Sequence, residues 1–173
     1  VATYQADVAP TLMVLGATIH LAGPEGERSL PIAEFFQLDG IKRNVLKDGE
    51  LVVKITLPEE SSEWQGIYKK LRLRESWDFP EAGVAAAWRL SGDGSLAELR
   101  IATTALESIP RLHAEEVSSI ISEGWKGKES IVALAKSIQR TVKPVNNTAF
   151  PPNYRKKMTR VLCERALEPL GDL

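Results

Sequence analysis

Val84-Ala85-Ala86-Ala87-Trp88-Arg89-Leu90-Ser91-Gly92-Asp93-Gly94-Ser95-Leu96-Ala97-Glu98-Leu99-Arg100-Ile101-Ala102-Thr103-Thr104-Ala105-Leu106 decides the fold. Two apolar stretches, Val84 to Leu90 and Leu96 to Leu106, flank Gly92-Asp93-Gly94. That triplet has the residue types a tight turn requires, so the run reads as a β-hairpin. Ile67 to Arg72 reads as a strand just before it, and three consecutive strands predict an antiparallel meander. Beyond the hairpin the apolar spacing changes from two to between three and four. Ala114, Val117, Ile120 and Ile121 fall on one helical face, and Ile131, Leu134, Ala135 and Ile138 on another. Tyr154, Met158, Val161, Leu162 and Arg165 follow the same spacing in a third helix. Gly124 and Gly127 separate the first two helices, Lys143-Pro144 closes the second, and Asn146 to Pro152 is a loop.

Upstream, Pro10 fits the first turn of a short helix with Asp7 as its cap, and Gly16 stops it. Thr18 to Leu21 reads as a strand. Gly23-Pro24-Glu25-Gly26 is turn chemistry, with Arg28 to Leu30 returning as the hairpin partner. Pro31 to Phe36 reads as a helical turn anchored by Phe35 and Phe36. Leu51 to Leu57 is a strand that ends at Pro58. Residues 59–64, Glu-Glu-Ser-Ser-Glu-Trp, form a polar break. The expected organisation is therefore α+β, with a first piece over 1–58, a linker over 59–64 and a C-terminal domain over 65–173. A domain as small as the first piece buries only roughly 60% of its chain surface. It reads as part of a larger sheet whose other strands lie elsewhere.

The 173 residues carry 22 Lys+Arg against 23 Asp+Glu, a balance that argues against a general nucleic-acid or anionic-membrane binder. One cysteine, Cys163, excludes an internal disulfide framework and any cysteine cluster for zinc or iron–sulfur within this chain. No apolar run approaches the ~20 residues of a membrane helix.

Most catalytic motifs are absent. The glycines never form G-x-G-x-x-G. Gly127-Lys128 has the end of a P-loop, but Ser122 stands where the first glycine belongs and Glu129 where Ser or Thr belongs. Asn146-Asn147-Thr148 matches the glycosylation tripeptide, a frequent chance match. His20 reads as an ordinary strand residue, His113 as a surface or capping residue opening a helix, and Cys163 as a buried, inert thiol. Arg155-Lys156-Lys157 with Arg160 reads as the solvated face opposite Met158 and Val161.

Tyr68-Lys69-Lys70-Leu71-Arg72-Leu73-Arg74-Glu75-Ser76-Trp77-Asp78-Phe79-Pro80 is less ordinary. Period two puts Lys70, Arg72 and Arg74 on one face beside Trp77. Such a face suits an anionic, planar ligand such as a flavin or nucleotide. It equally suits an exposed edge strand protected by charge, and periodicity leaves both open.

Several separated stretches, in order, resemble the FAD-binding medium subunit of the xanthine dehydrogenase / carbon monoxide dehydrogenase family of molybdenum hydroxylases. They are Asp7-x-x-Pro10-x-Leu12 with Leu15-Gly16-Ala17, Gly26-Glu27-Arg28 with Pro31 to Phe36, and Asp48-Gly49-Glu50-Leu51-Val52 with Leu57-Pro58. Tyr68-x-Lys70-Leu71-Arg72 with Asp78, Pro144 to Thr148, and Tyr154-Arg155-Lys156-Lys157-Met158 complete the set. The resemblance is closest to the 4-hydroxybenzoyl-CoA reductase branch, through Asp78-Phe79-Pro80, Asn147-Thr148 and Arg155 to Met158.

The resemblance implies the C-terminal part of a PCMH-type FAD-binding domain, followed by a CO dehydrogenase flavoprotein C-terminal-like domain of three antiparallel strands plus helices. It makes the start at Val1 an internal point of a longer subunit. The upstream part would carry the first FAD lobe and, in the 4-hydroxybenzoyl-CoA reductase branch, a [4Fe–4S] cluster. The implied partners are that upstream half, a molybdopterin-binding large subunit holding the molybdenum cofactor, and a small subunit holding [2Fe–2S] clusters, all cytoplasmic. Nucleic acid and membrane insertion are not expected. The implied role is electron relay through FAD, with no acid–base catalyst on this chain. The alternative is a non-catalytic docking and assembly module. Position by position, Asp7 would accept a hydrogen bond from the ribityl or ribose region, and Leu51 and Val52 would pack on the isoalloxazine ring. Lys70 or Lys69 would lie at the flavin's polar edge, where a cation favours the anionic reduced form, and Asp78 would shape the approach.

Overall fold

The computed structural model describes residues 3–39 and 41–173; Val1, the expected internal start, lies outside them. Helix α1 spans Val8–Val14 and stops where Gly16 takes φ +73°, a backbone region open to glycine. Strand β1 (Thr18–Gly23) turns through Pro24 and Glu25 into β2 (Gly26–Pro31), and a single helical turn, α2 (Ile32–Phe35), follows. Strand β3 (Leu51–Thr56) pairs antiparallel with the other side of β1, so the sheet order is β2-β1-β3. Ile19 and Leu21 of β1 are buried, whereas β3 is an edge strand whose Leu51 is 68% and Val53 58% exposed.

The long connection into β3 is held by charge. Arg28 Nε and Nη2 donate to the two Glu50 oxygens at 2.7 and 2.8 Å, and the Lys47 N–H donates to Oε2 at 2.7 Å. Led by the Arg28 bond, these contacts hold the Glu50 carboxyl at about 2, against an ordinary 4.5. A carboxyl depressed on folding stabilises fully above its unfolded value, and that stabilisation is lost as pH falls through the folded one. Tm is therefore expected to fall between pH 4.5 and about 2, and less steeply in Glu50→Gln. Parallel Tm-versus-pH curves for the two proteins would show that this clamp contributes nothing.

The second sheet is antiparallel in the order β4-β5-β6-β7: β4 (Gln65–Leu71), β5 (Ala82–Leu90), β6 (Leu96–Thr104) and β7 (Arg111–Leu112). It has four strands rather than the three expected. Two residues after Pro110 carry no period-two pattern, yet Ala102 pairs with Leu112 and Thr103 with Arg111. The expected polar break forms a short 3₁₀ turn over Glu59–Glu63.

Helices α3 (Ala114–Ser122), α4 (Lys128–Thr141) and α5 (Pro152–Leu167) complete the chain. Val84, Ala86, Trp88 and Ile101 meet Leu134, Ile138 and Leu162 in the core on the helical side of the sheet. On the opposite side, Ala85, Ala87 and Ala102 meet Ala9, Met13 and Val14. Strand β5 is thus buried on both faces from Ala82 to Trp88, which is why it reads as a continuous apolar run rather than an alternation. The architecture is α+β.

Four sequence expectations need correction. In α5 the buried seam is Arg155, Thr159, Leu162, Cys163, Ala166 and Leu167, whereas Tyr154 and Arg165 are exposed. Arg155 is fully buried, so the basic run is not one solvated face. Its guanidinium donates to the carbonyls of Glu81 and Val145, each at 2.7 Å, and to that of Ala105. Ala105 sits at φ +63°, where β6 breaks off before the expected end at Leu106. His113 takes the N-cap position of α3, as one of its two expected roles, but it is 1% exposed rather than on the surface and makes no side-chain cap: its Nε2 lies 2.9 Å from Thr103 Oγ1 and its Nδ1 3.3 Å from Glu116 Oε1. Cys163 is buried as expected, and burial pushes its thiol pKa up.

Candidate functional site

Asp7 stands at the start of α1 yet makes no side-chain cap. The third helical residue is Pro10, which has no N–H to offer, and Asp7 itself has helical φ and ψ. Its carboxylate turns instead to β4. Tyr68 donates its hydroxyl to Oδ1 at 2.7 Å, and Lys70 Nζ donates to Oδ2 at 2.8 Å. Lys70 also donates to the Asp78 carbonyl at 2.8 Å, which uses two of its three N–H groups. The Asp7 side chain remains 40% and that of Lys70 21% exposed. From the other flank, Thr104 Oγ1 donates to the Ala6 carbonyl at 3.0 Å and fixes the backbone beside Asp7.

Tyr68 and Lys70 share a face of β4 by period two, and Lys69 falls on the other. Its neighbours Ile67 and Leu71 pack against the helical core, and Lys69 itself is exposed. The structure therefore brings Lys70, and not Lys69, to Asp7. Burial first, and then the bond to Asp7, push the Tyr68 phenol well above its ordinary pKa.

The expected cationic face of Lys70, Arg72 and Arg74 does not form, because β4 ends at Leu71 and period two ends with it. The Asp78 carboxylate instead binds Arg74 Nη2, the Arg74 N–H and the Phe79 N–H at 2.9–3.0 Å. The Arg74 guanidinium holds the Asp78 carboxyl well below the usual range. Asp78 thereby pins the loop on which Trp77 is 91% and Phe79 65% exposed.

Val52 lines a cleft of about 410 Å³ together with Tyr4, Val8, Leu12, Phe36 and Ile55, which brings it to the flank of α1 next to Asp7. Leu51, paired with Ala22 rather than Leu21, lies on the opposite side of β3 and does not line this cleft. Tyr68 and Val8 were not singled out as site residues from the sequence. The shared period of Tyr68 and Lys70 is a signal that points to the first, and nothing local points to the second. Among the described residues no group of acidic, histidine and cysteine side chains is placed to hold a metal, and no helix is long and apolar enough to cross a membrane.

Residues 1–60, which carry Asp7 and Val52, match a known domain. That match is the FAD binding domain in molybdopterin dehydrogenase. Residues 66–170 match the CO dehydrogenase flavoprotein C-terminal domain, and the chain belongs to that family.

It is 30% identical over 165 residues to the carbon monoxide dehydrogenase medium chain of Afipia carboxidovorans, covering 94% of this chain and 54% of that one. It is 35% identical over 101 residues to the aldehyde oxidoreductase FAD-binding subunit PaoB of Escherichia coli, covering 56% of this chain and 31% of that one. Carbon monoxide dehydrogenase from Hydrogenophaga pseudoflava superposes with a TM-score of 0.81 at 25% identity, over 95% of this chain and 58% of the other. The chain spans about half the length of the medium chain it matches.

Proposed function

We propose that this chain is the C-terminal portion of an FAD-binding electron-transfer subunit of a cytoplasmic molybdenum-containing hydroxylase or dehydrogenase. In this reading 1–58 belongs to the FAD-binding domain, 59–64 is the linker and 65–173 is the C-terminal domain. The partners are the upstream half of the subunit, a large subunit with the molybdenum cofactor and a small subunit with [2Fe–2S] clusters. The observation that carries the reading is the Asp7–Lys70 pair, partly open to solvent beside the Val52 cleft, in a chain whose first 60 residues match an FAD-binding domain.

The residues present fit FAD. Asp7 has exposed carboxylate surface for a sugar or ribityl hydroxyl, and Lys70 keeps an N–H for the polar edge of a flavin. Val52 offers apolar contact on the cleft side and Leu51 on the other side of β3. Bound FAD supplies the exchange of electrons between iron–sulfur clusters and an external partner. The chain's own task is placement and charge: Lys70 favours an electron-rich ring beside it, and Asp78 holds the neighbouring loop in shape.

The likeness at Asp78-Phe79-Pro80, Asn147-Thr148 and Arg155 to Met158 supports a 4-hydroxybenzoyl-CoA reductase-like complex with a [4Fe–4S] cluster upstream. A docking role is the second reading, favoured by the α4–α5 groove of about 410 Å³, where Val132 is 38% exposed.

Reconstituting the chain with the preceding half of its subunit should yield a bound-flavin absorption spectrum. A stable, flavin-free complex that keeps its full subunit composition would overturn the electron-transfer reading in favour of docking.

A further inference from the structure

We infer that Tyr68 is a positioning residue for Lys70, acting through Asp7, and that Gly83 is the vacancy in the sheet that lets it do so. The inference rests on the reading that Lys70 faces a flavin. Tyr68 pairs with Ala85 and Lys70 with Gly83 across β4 and β5. The Tyr68 ring lies diagonally over Gly83 to reach the Asp7 carboxylate. A Cβ on Gly83 would stand 2.5 Å from the Tyr68 hydroxyl, 3.1 Å from its Cζ and 2.6 Å from Thr104 Cγ2. No other residue type leaves that path open. Gly83 is in extended β5 without a positive φ, so its requirement is for space, not backbone freedom.

The hydroxyl occupies Asp7 Oδ1 and leaves Oδ2 to Lys70. Lys70 is then held between Asp7 and the Asp78 carbonyl with a third N–H to spare. Without the hydroxyl, a part-buried carboxylate loses a donor, keeps more of its negative charge and draws Lys70 toward itself. Both changes make the surroundings of a neighbouring ring less positive.

The test is the flavin midpoint potential of the full-length subunit in its complex, measured for Tyr68→Phe, Gly83→Ala and Lys70→Met. Tyr68→Phe should lower the potential in the same direction as Lys70→Met and by less, with FAD content retained. Gly83→Ala should follow Tyr68→Phe. Tyr68→Phe keeps the ring in its slot and carries the test if Gly83→Ala does not fold. A potential unchanged or raised in Tyr68→Phe, while Lys70→Met lowers it, overturns the positioning role and leaves the electron-relay reading standing. A potential unchanged in Lys70→Met overturns the placement of Lys70 at the flavin, and the positioning role with it, while bound flavin still tests the electron-relay reading separately.

Discussion

Arg155→Met should cost about 3–5 kcal/mol of stability, because three carbonyls lose their donor at once. The side chain is fully buried and is the donor to three carbonyls, those of Glu81, Ala105 and Val145. Each buried carbonyl left without a donor costs about 1–3 kcal/mol, partly offset because a guanidinium no longer has to be stripped of water. At about 2–4 °C per kcal/mol for a chain of this size, Tm should drop by roughly 6–20 °C. The three carbonyls belong to the start of β5, the turn after β6 and the loop before α5. Arg155 therefore ties the helical layer to the sheet at one point. Arg155→Lys should recover part of the loss, since an ammonium lacks the planar fork. Lys157→Met, exposed two residues further on, should stay within about 0.5 kcal/mol. An Arg155→Met protein within about 1 kcal/mol of the parent in thermal unfolding would refute the role.

Gly127→Ala should cost about 2–4 kcal/mol, from two sources that a second variant separates. Gly127 has φ +54° and ψ −125°, a conformation alanine adopts only under strain. Its Cβ would also stand 2.5 Å from the Gly171 carbonyl oxygen and 3.1 Å from that of Leu173, backbone atoms of the C-terminal turn that must shift as a unit to clear it. The C-terminal turn should come away from α4 and release Trp125, whose Nε1 donates to the Leu170 carbonyl at 3.1 Å. Gly124, at φ +82°, has nothing within 4 Å of its Cβ position. Gly124→Ala should thus show only the backbone cost of about 1 kcal/mol. Chemical denaturation followed by tryptophan emission reads both, and equal losses in the two variants would remove the steric part of the argument.

Much of the fold was legible because it rests on local periodicity. The β5–β6 hairpin, the α3 and α4 faces and the β1–β2 turn follow from apolar spacing and turn residues that need no distant partner. The α5 seam did not, because Arg155 and Thr159 are buried by carbonyls contributed from elsewhere, and apolar spacing registers no such partners. Strand β7 was invisible at two residues, and His113 was misplaced because its burial comes from Thr103 and Glu116.

Asp7, Lys70 and Asp78 are site expectations that rest on family resemblance; in the structure Lys70 bonds the Asp7 carboxylate and the Asp78 backbone carbonyl. The choice between Lys69 and Lys70 depended on which face of β4 meets α1, a tertiary fact. The array of three cations failed for a local reason, the end of β4 at Leu71. Trp77, expected beside those cations, is 91% exposed on the loop that Asp78 pins.

The run of alanines in β5 has a mechanical consequence. With side chains no larger than a methyl at Ala85, Ala86 and Ala87, α1 lies close on one side of the strand and the α4–α5 layer on the other. The polar connector before β4 is then no hinge, since swinging about it would require α1 to lift off a wall it already touches. Asp7 and Lys70, 63 residues apart in the chain, are held at 2.8 Å by this thin partition between them and the helices. Thickening the α1 side of β5 by a single Ala85→Val would act like a shim, changing the gap at the acid–lysine pair without touching either residue.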